Sequence, residues 1–484
     1  MKKHSRLLAL LLTLVMVTAM FTACTNNGDD PDSTTPAPQS DSTAPGPDVT
    51  TDPNQTTQGT TVDLTGYEFT ITGTNDVFPE TDENGVYINA TEQQLADELA
   101  DLEERLGITI TYQDFSGDKL EVLTTAMLAN TKVADIIWAH VEVLWPLAKM
   151  GGILPYDEGT LADLGVNWQD ETRWFVPTTE WTSMFGNVWG LNVASEYVAV
   201  KTGYFVQTNK EICAAAGYPD LYQMVRDKEW TWEVYRDIAK KSTKDLDGDG
   251  IYDQWGTSAT AWGNEVMSNG VQYVDEVDGK WTVSIDSQEG IRALQFLYDI
   301  NFGDATHNLT VSNSDNRQLF CDGYAAFNMS DMGRINGPTQ QCFNTNHPYG
   351  IVPIPLGPDA TEYASGHNDL DGWAIQACNK DLEKVVPILN EWALIVNDTN
   401  AYLDVLNDGR CHTEEDKEMM IEYIIPNFAL NYATATPDIW SAVDDNDEGG
   451  GLINDVSYNG MTPQQAIETN KNVIQAVLDS FFNK

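Results

Sequence analysis

The chain has 484 residues, with 74 acidic against 26 basic side chains and a formal net charge of −48. That balance argues against nucleic acid, whose phosphates demand cationic surface, and against an anionic membrane surface as a partner. With 42% hydrophobic and 10% aromatic residues, a sizeable core can be buried, in one large domain or two of medium size.

Lys2, Lys3 and Arg6 precede an uncharged apolar stretch from Leu7 to Met20, the pattern of an export signal. Phe21-Thr22-Ala23-Cys24 resembles a lipobox, in which cleavage before the cysteine leaves it lipidated, although Phe21 stands where leucine is usual. A soluble secreted protein would need a small residue at Phe21, and an uncleaved anchor about 20 apolar residues. Residues 1–23 are therefore expected to be a signal peptide, and Cys24 to carry a diacylglyceryl or palmitate-type anchor on the outer face of the cell membrane. Residues 24–63 form the tether. Rich in Asp, Ser, Thr and Pro with almost nothing apolar, it cannot offset its ordering entropy and should reach roughly 30–40 Å.

From Leu64 the pattern changes. GYEFTIT alternates as a strand, and Thr91 to Leu106 reads as a helix with Thr91 as N-cap, Gln94 at the capping-box position and Leu95, Leu99, Leu102 and Leu106 on one face. After Gly107, ITITYQDF is a strand, Asp118 to Asn130 a helix and ADIIWAH another strand. This alternation predicts an α/β layer with a mainly parallel sheet. It recurs after residue 200: FVQTN then KEICAAA, a helix beside Thr231, another at QEGIRALQFLYDIN, and short strands at GYAAFNM, PYGIVPIPL and DGWAIQA. Two α/β lobes are expected, with Trp230, Trp232 and Trp392 in their cores. The cysteines after Cys24, namely Cys213, Cys321, Cys342, Cys378 and Cys411, are odd in number and lack C-x-x-C spacing. Buried thiols are the preferred reading, with a Cys321–Cys342 pair as the alternative.

ADIIWAHVEVLWPLAKMGGILPYDE, EWTWEVYRDIAKKSTKDLDGDGIYDQWG, LFCDGYAAFNM and PYGIVPIPLGP followed by DGWAIQA occur in that order. Together they resemble extracellular solute-binding proteins of ABC importers, in the family of maltose-binding protein. The resemblance implies a two-lobed, periplasmic-binding-protein-like fold of type II, with mixed sheets flanked by helices and a hinge that closes on solute. It divides the body into an N-lobe of 64–190 plus 369–435 and a C-lobe of 191–368 plus 436–484. It also implies a monomer that captures a carbohydrate, expected to be an oligosaccharide, and delivers it to a membrane permease. Peptide, polyol and uronate ligands stay open.

Loops after strands are where such clefts take their contacts. A pyranose offers an apolar face to aromatic rings and hydroxyls to planar donors and acceptors. The candidates are Asn75 and Asp76 after the first strand, and Trp138, His140 and Glu142 around the WAH string. Trp262 follows SATA, Asn328, Asp331 and Arg334 follow the AAF strand, and Asp371 and Trp373 sit at the lobe crossing. The family's charged pair after WAH is replaced by Val141 and Glu142. Separately, DLDGDGIYD spaces Asp245, Asp247, Asp249 and Asp253 with the Ile251 carbonyl as in an EF-hand-type loop, so a structural Ca²⁺ is expected, although position 12 is Gly256 and not Glu. No G-x-S-x-G, H-E-x-x-H or P-loop pattern appears, so no catalysis and no catalytic cofactor are expected. A cell-surface glycan-active enzyme and a sugar sensor or adhesin are the alternatives.

Overall fold

The computed structural model describes residues 62–483 except 196–197, 199–202, 336–343, 368–369 and 445–448. Cys24, the signal, the tether and Cys342 lie outside the described residues. Asp63–Lys484 is one compact unit, as the body expected from residue 64 requires.

In chain order the elements that position the site are β1 (Glu68–Thr72), α1 (Ala90–Leu106), β2 (Thr109–Gln113), α2 (Lys119–Ala129), β3 (Ile136–His140) and α3 (Val141–Lys149). There follow β4 (Phe205–Asn209), α4 (Trp232–Ser242), β5 (Trp255–Thr257), β6 (Ala325–Ser330), β7 (Tyr349–Pro353), β8 (Asp371–Ala374) and α5 (Leu382–Val396). Helix α1 starts earlier than the sequence suggests. Asn89, a stronger N-cap than threonine, accepts the Glu92 N–H at 2.9 Å, while Leu99 and Leu102 are buried and Gly107 ends the helix at φ 66°. The caps of α2 and α4 fall at Asp118 and Thr231, which accept from Glu121 N and Val234 N.

Two four-stranded sheets result, in the orders β8-β3-β1-β2 and β7-β4-β6-β5. In the first, β1 runs parallel to β2 and β3, and β8 returns antiparallel with Asp371 opposite His140. Most of β3 is buried, as a continuous apolar run requires of a strand covered on both faces. The second sheet is mixed, as the resemblance implies, and departs from the mainly parallel layer that the alternation alone suggests. Only β5 and β6 pair in parallel, whereas β4 runs antiparallel to both β6 and β7. Trp230, Trp232 and Trp392 are buried, as expected.

The lobe boundaries need two corrections. Leu191 still bridges to Trp373, and Ala194 exchanges hydrogen bonds with Asn397 and Asp398, so the first lobe extends to about residue 194. Residues 410–424, expected with the first lobe, pack on the β7 edge of the second. Buried Asp416 accepts the Ile351 N–H at 2.7 Å and the Tyr222 hydroxyl at 2.5 Å, and Tyr349 donates to the Arg410 carbonyl at 2.6 Å. An edge strand's unpaired amides are satisfied there by a side chain instead of another strand.

Candidate functional site

Strand polarity decides what can meet. β5 and β6 are parallel, so the segments leaving their carboxyl ends, 258–262 and 331–334, emerge side by side. Antiparallel β4 enters at that same edge, because Ser330 pairs with Phe205. In the first lobe β1 and β3 leave at one edge and β8 enters there. Each lobe thus has a rim where parallel strands end and an antiparallel strand begins, the usual place for ligand in open α/β sheets. The crossing chain ties the rims together. His367 stacks on Tyr204 of the second rim, with centroids 5.3 Å apart, and Asp371 pairs with His140 of the first. Four peptide units separate His367 from Asp371, a reach of at most about 14 Å.

On the second rim, Trp262 is 41% exposed. The Arg334 guanidinium lies 5.6 Å from the Trp262 ring centre and 5.9 Å from that of Tyr204. Asp331 fixes Arg334, accepting its Nε–H at 2.7 Å and its backbone N–H at 2.9 Å. Arg334 Nη2 also donates to the Tyr204 hydroxyl at 3.4 Å. Burial raises the Tyr204 pKa, with the Asp331 charge adding to it, so this hydroxyl remains a donor at neutral pH. The rim therefore offers an exposed indole face, a held guanidinium and a buried phenol. Asn328, expected with them, is buried inside the sheet, where its amide accepts from Ser258 and donates to Gln207. It is part of the sheet's polar interior and not of the rim surface.

The first rim differs. Trp138 lies within β3, not after it, and is 4% exposed, while Trp373 is fully buried. Their rings meet at 5.1 Å, and Trp373 abuts Trp392 edge-on at 5.4 Å. Trp373, expected to contact ligand, is a core side chain here. His140 caps α3 by accepting the Glu142 N–H at 3.3 Å, and the Glu142 carboxylate stands 3.8 Å from His140 Nδ1. Asn75 and Asp76 are exposed in the turn after β1, where Thr74 accepts the Asp76 N–H. Asp371 is buried, with its carbonyl accepting from Asn192. Tyr204, His367 and Lys119, whose ammonium reaches the Trp138 carbonyl at 3.4 Å, join the rims without having been expected there. Only pairing register could have placed them.

In the Asp-rich loop, Asp245, Asp247 and Asp253 each bring a carboxylate oxygen within 4.8 Å of the others. This all-oxygen set suits a hard divalent cation. Asp249 stands apart from the three and accepts the Ile251 N–H at 2.8 Å. The loop's own amides already engage the set: Asp245 accepts from Gly250 and Gly248, which holds its carboxyl below the usual range, and Asp253 accepts from Leu246. Gly256 at position 12 answers to packing, because a Cβ there would lie 2.4 Å from the Ala239 carbonyl on α4. The residues fit a cation in part, with one side left to water. Elsewhere, Cys213 and Cys411 are buried thiols, each pushed up to about 12 by burial.

Two α/β lobes, each with such a rim and joined by a short crossover, define the class of two-lobed solute-binding proteins. The chain belongs to the bacterial extracellular solute-binding protein family, whose sequence profile matches residues 84–386. No curated protein matches it in sequence. Among solved structures it is similar to UspC of Mycobacterium tuberculosis, with TM-score 0.58, 17% identity and coverage of 84% of this chain and 99% of that one. It is equally similar in fold to the cyclic α-maltosyl-1,6-maltose binding protein of Arthrobacter globiformis, with TM-score 0.58, 14% identity and coverage of 86% and 100%. UgpB of M. tuberculosis, solved in complex with glycerophosphocholine, follows with TM-score 0.56, 16% identity and coverage of 86% and 98%. The family is one of solute-binding proteins. Among the described residues no helix is long and apolar enough to cross a membrane.

Proposed function

We propose that this protein captures a carbohydrate, an oligosaccharide in particular, between the two rims and passes it to the membrane permease of an ABC importer. The observation that carries the reading is Trp262, an exposed indole beside a guanidinium held by Asp331. An indole face takes the C–H face of a pyranose, and planar donors at its edge take hydroxyls. Asn75, Asp76, His140 and Glu142 then supply polar groups from the opposite rim. In this reading Cys24 carries the lipid that keeps the binder at the cell surface, and the lobes follow the corrected boundaries. A structural Ca²⁺ in the Asp245–Asp253 loop is a secondary expectation, tested by chelation.

The test is a thermal-shift screen of glycans, with glycerophosphocholine included because one structural relative is described in complex with it. A ligand that binds only the native state adds about 2.7 kcal/mol of stability at 100 Kd. A glycan shift that disappears in Trp262→Ala supports the reading. A shift with glycerophosphocholine alone, or a glycan shift indifferent to Trp262, overturns it.

A further inference from the structure

From Gly256 to Asn269 every residue is buried except half-buried Thr260 and exposed Trp262. Trp262 has φ 54°, a left-handed backbone in which a bulky residue is an outlier and must be held by its surroundings. The ties around it can be named. Ala261 N–H donates to Glu265 Oε1, the Ala261 carbonyl accepts from Asn264 N and Nδ2, and the Tyr273 hydroxyl donates to the Gly263 carbonyl at 2.8 Å. Gly263, at φ 82°, leaves no room behind the turn, since a Cβ would lie 2.4 Å from Ile453 Cδ1 and 2.5 Å from Tyr273 Oη. Among these ties only Glu265 can gain a charge near neutral pH. It has no exposed surface, and its Oε2 has no hydrogen-bond partner.

We propose that Glu265 is a positioning residue for ligand capture, holding Trp262 in its left-handed conformation beside Arg334 through the Ala261 amide. The inference rests on the reading of Trp262 as a ligand contact. Burial pushes the Glu265 carboxyl up to about 7. Below that pH the neutral acid sits under the turn at little cost. Above it, the proton passes to solvent and leaves a buried carboxylate whose Oε1 keeps the Ala261 N–H but whose Oε2 has no partner, and the demand of that oxygen for water loosens the turn. The groups facing it are Tyr204, Tyr235, Tyr273 and Tyr458, whose pKa values burial raises and the Glu265 charge raises further. Of these phenols, Tyr204 also feels the charges of Asp331 and Arg334, Tyr273 that of Asp444, and Tyr458 those of Asp444 and Arg317.

The experiment is ¹⁹F NMR of the protein carrying 5-fluorotryptophan, with Trp262→Phe identifying the Trp262 resonance. That resonance is expected to titrate with a midpoint near 7. In Glu265→Gln, which keeps the acceptor and cannot ionise, it is expected to stay at its low-pH position. Glu265→Asp, one methylene shorter, should displace the midpoint, which keeps the test decidable if the glutamine variant fails to fold. A flat Trp262 resonance in the unmutated protein, or an unchanged titration in either variant, overturns the proposal. In a second arm, maltotriose affinity of the unmutated protein should fall across the same pH range, and Glu265→Gln should remove the dependence. The spectroscopic arm needs no sugar, so failure of the carbohydrate reading is separately visible as absence of any glycan shift in the thermal screen.

Discussion

The two rims joined by the crossover use tryptophan in opposite ways. On the first, Trp138 and Trp373 stack inward toward Trp392, so their rings are spent on cohesion. On the second, Trp262 is turned out of an otherwise buried run by a strained backbone and stands beside a guanidinium. The first arrangement is filled, although the buried Trp373 and Trp392 indole N–H groups have no hydrogen-bond partner. The second holds strain where a ligand would meet it, and that asymmetry is what a binding surface on a rigid scaffold requires.

The sharpest way to break this comparison is Trp373→Ala, which should cost about 3–5 kcal/mol through the cavity it leaves. Urea denaturation checks it, and a loss below about 1 kcal/mol would mean the first rim is not packed as described. The same argument applies to Trp138, whose truncation is expected to lower stability as well as any affinity. Next comes Glu265. Its carboxyl is at about 7 in the folded protein against an ordinary value of 4.5, so between those values the folded state keeps a proton that the unfolded chain has lost. Its stability contribution is therefore full below about pH 4.5, falls as pH rises towards 7 and is gone above, a change of about 3 kcal/mol. Denaturation midpoints of the unmutated protein and Glu265→Gln across this range should diverge accordingly. The paired measurement matters because His307, pulled down to about 4 by burial, contributes a slope of opposite sign.

Trp262→Ala should change stability by no more than about 0.5–1 kcal/mol, yet weaken the best glycan of the screen about tenfold. A large loss of stability would erase the contrast between the rims. The smallest effect is expected at the Asp-rich loop, which is remote from both. Chelation should lower the melting temperature by a few degrees, about 1 kcal/mol, and Asp245→Asn should abolish the response. An identical melting curve with and without Ca²⁺ would mean that the amides of Gly248 and Gly250 alone shape the loop.

Much of this architecture was legible along the chain, because strand–helix alternation and caps such as Asp118 and Thr231 are local signals. The core positions of Trp230, Trp232 and Trp392 were legible for the same reason. Residues 410–424 were misplaced since their partner, the Ile351 amide on an edge strand, is set by tertiary pairing. Trp262 and Trp373 could not be told apart either. Both follow small residues near a strand, and only the sign of one backbone angle separates platform from core. Tyr204 and His367 came to the site through an antiparallel pairing that strand–helix alternation along the chain does not specify. Glu265 was hidden among 74 acidic residues; Asp135 and Asp416 are as deeply buried but have both carboxylate oxygens hydrogen-bonded, whereas Glu265 leaves Oε2 without a partner.

If the lobes rotate about the point where the chain crosses from His367 to Asp371, the motion of any atom grows with its distance from that point. For a rotation of about 20° around it, an atom at the axis stays still, while one about 14 Å away sweeps roughly 5 Å. Tyr204 and His367, stacked where the chain leaves the second rim, would then move least. A solute end resting there would keep its register through opening and closing, and the gripping stroke would belong to the parts of the rims that lie farthest out.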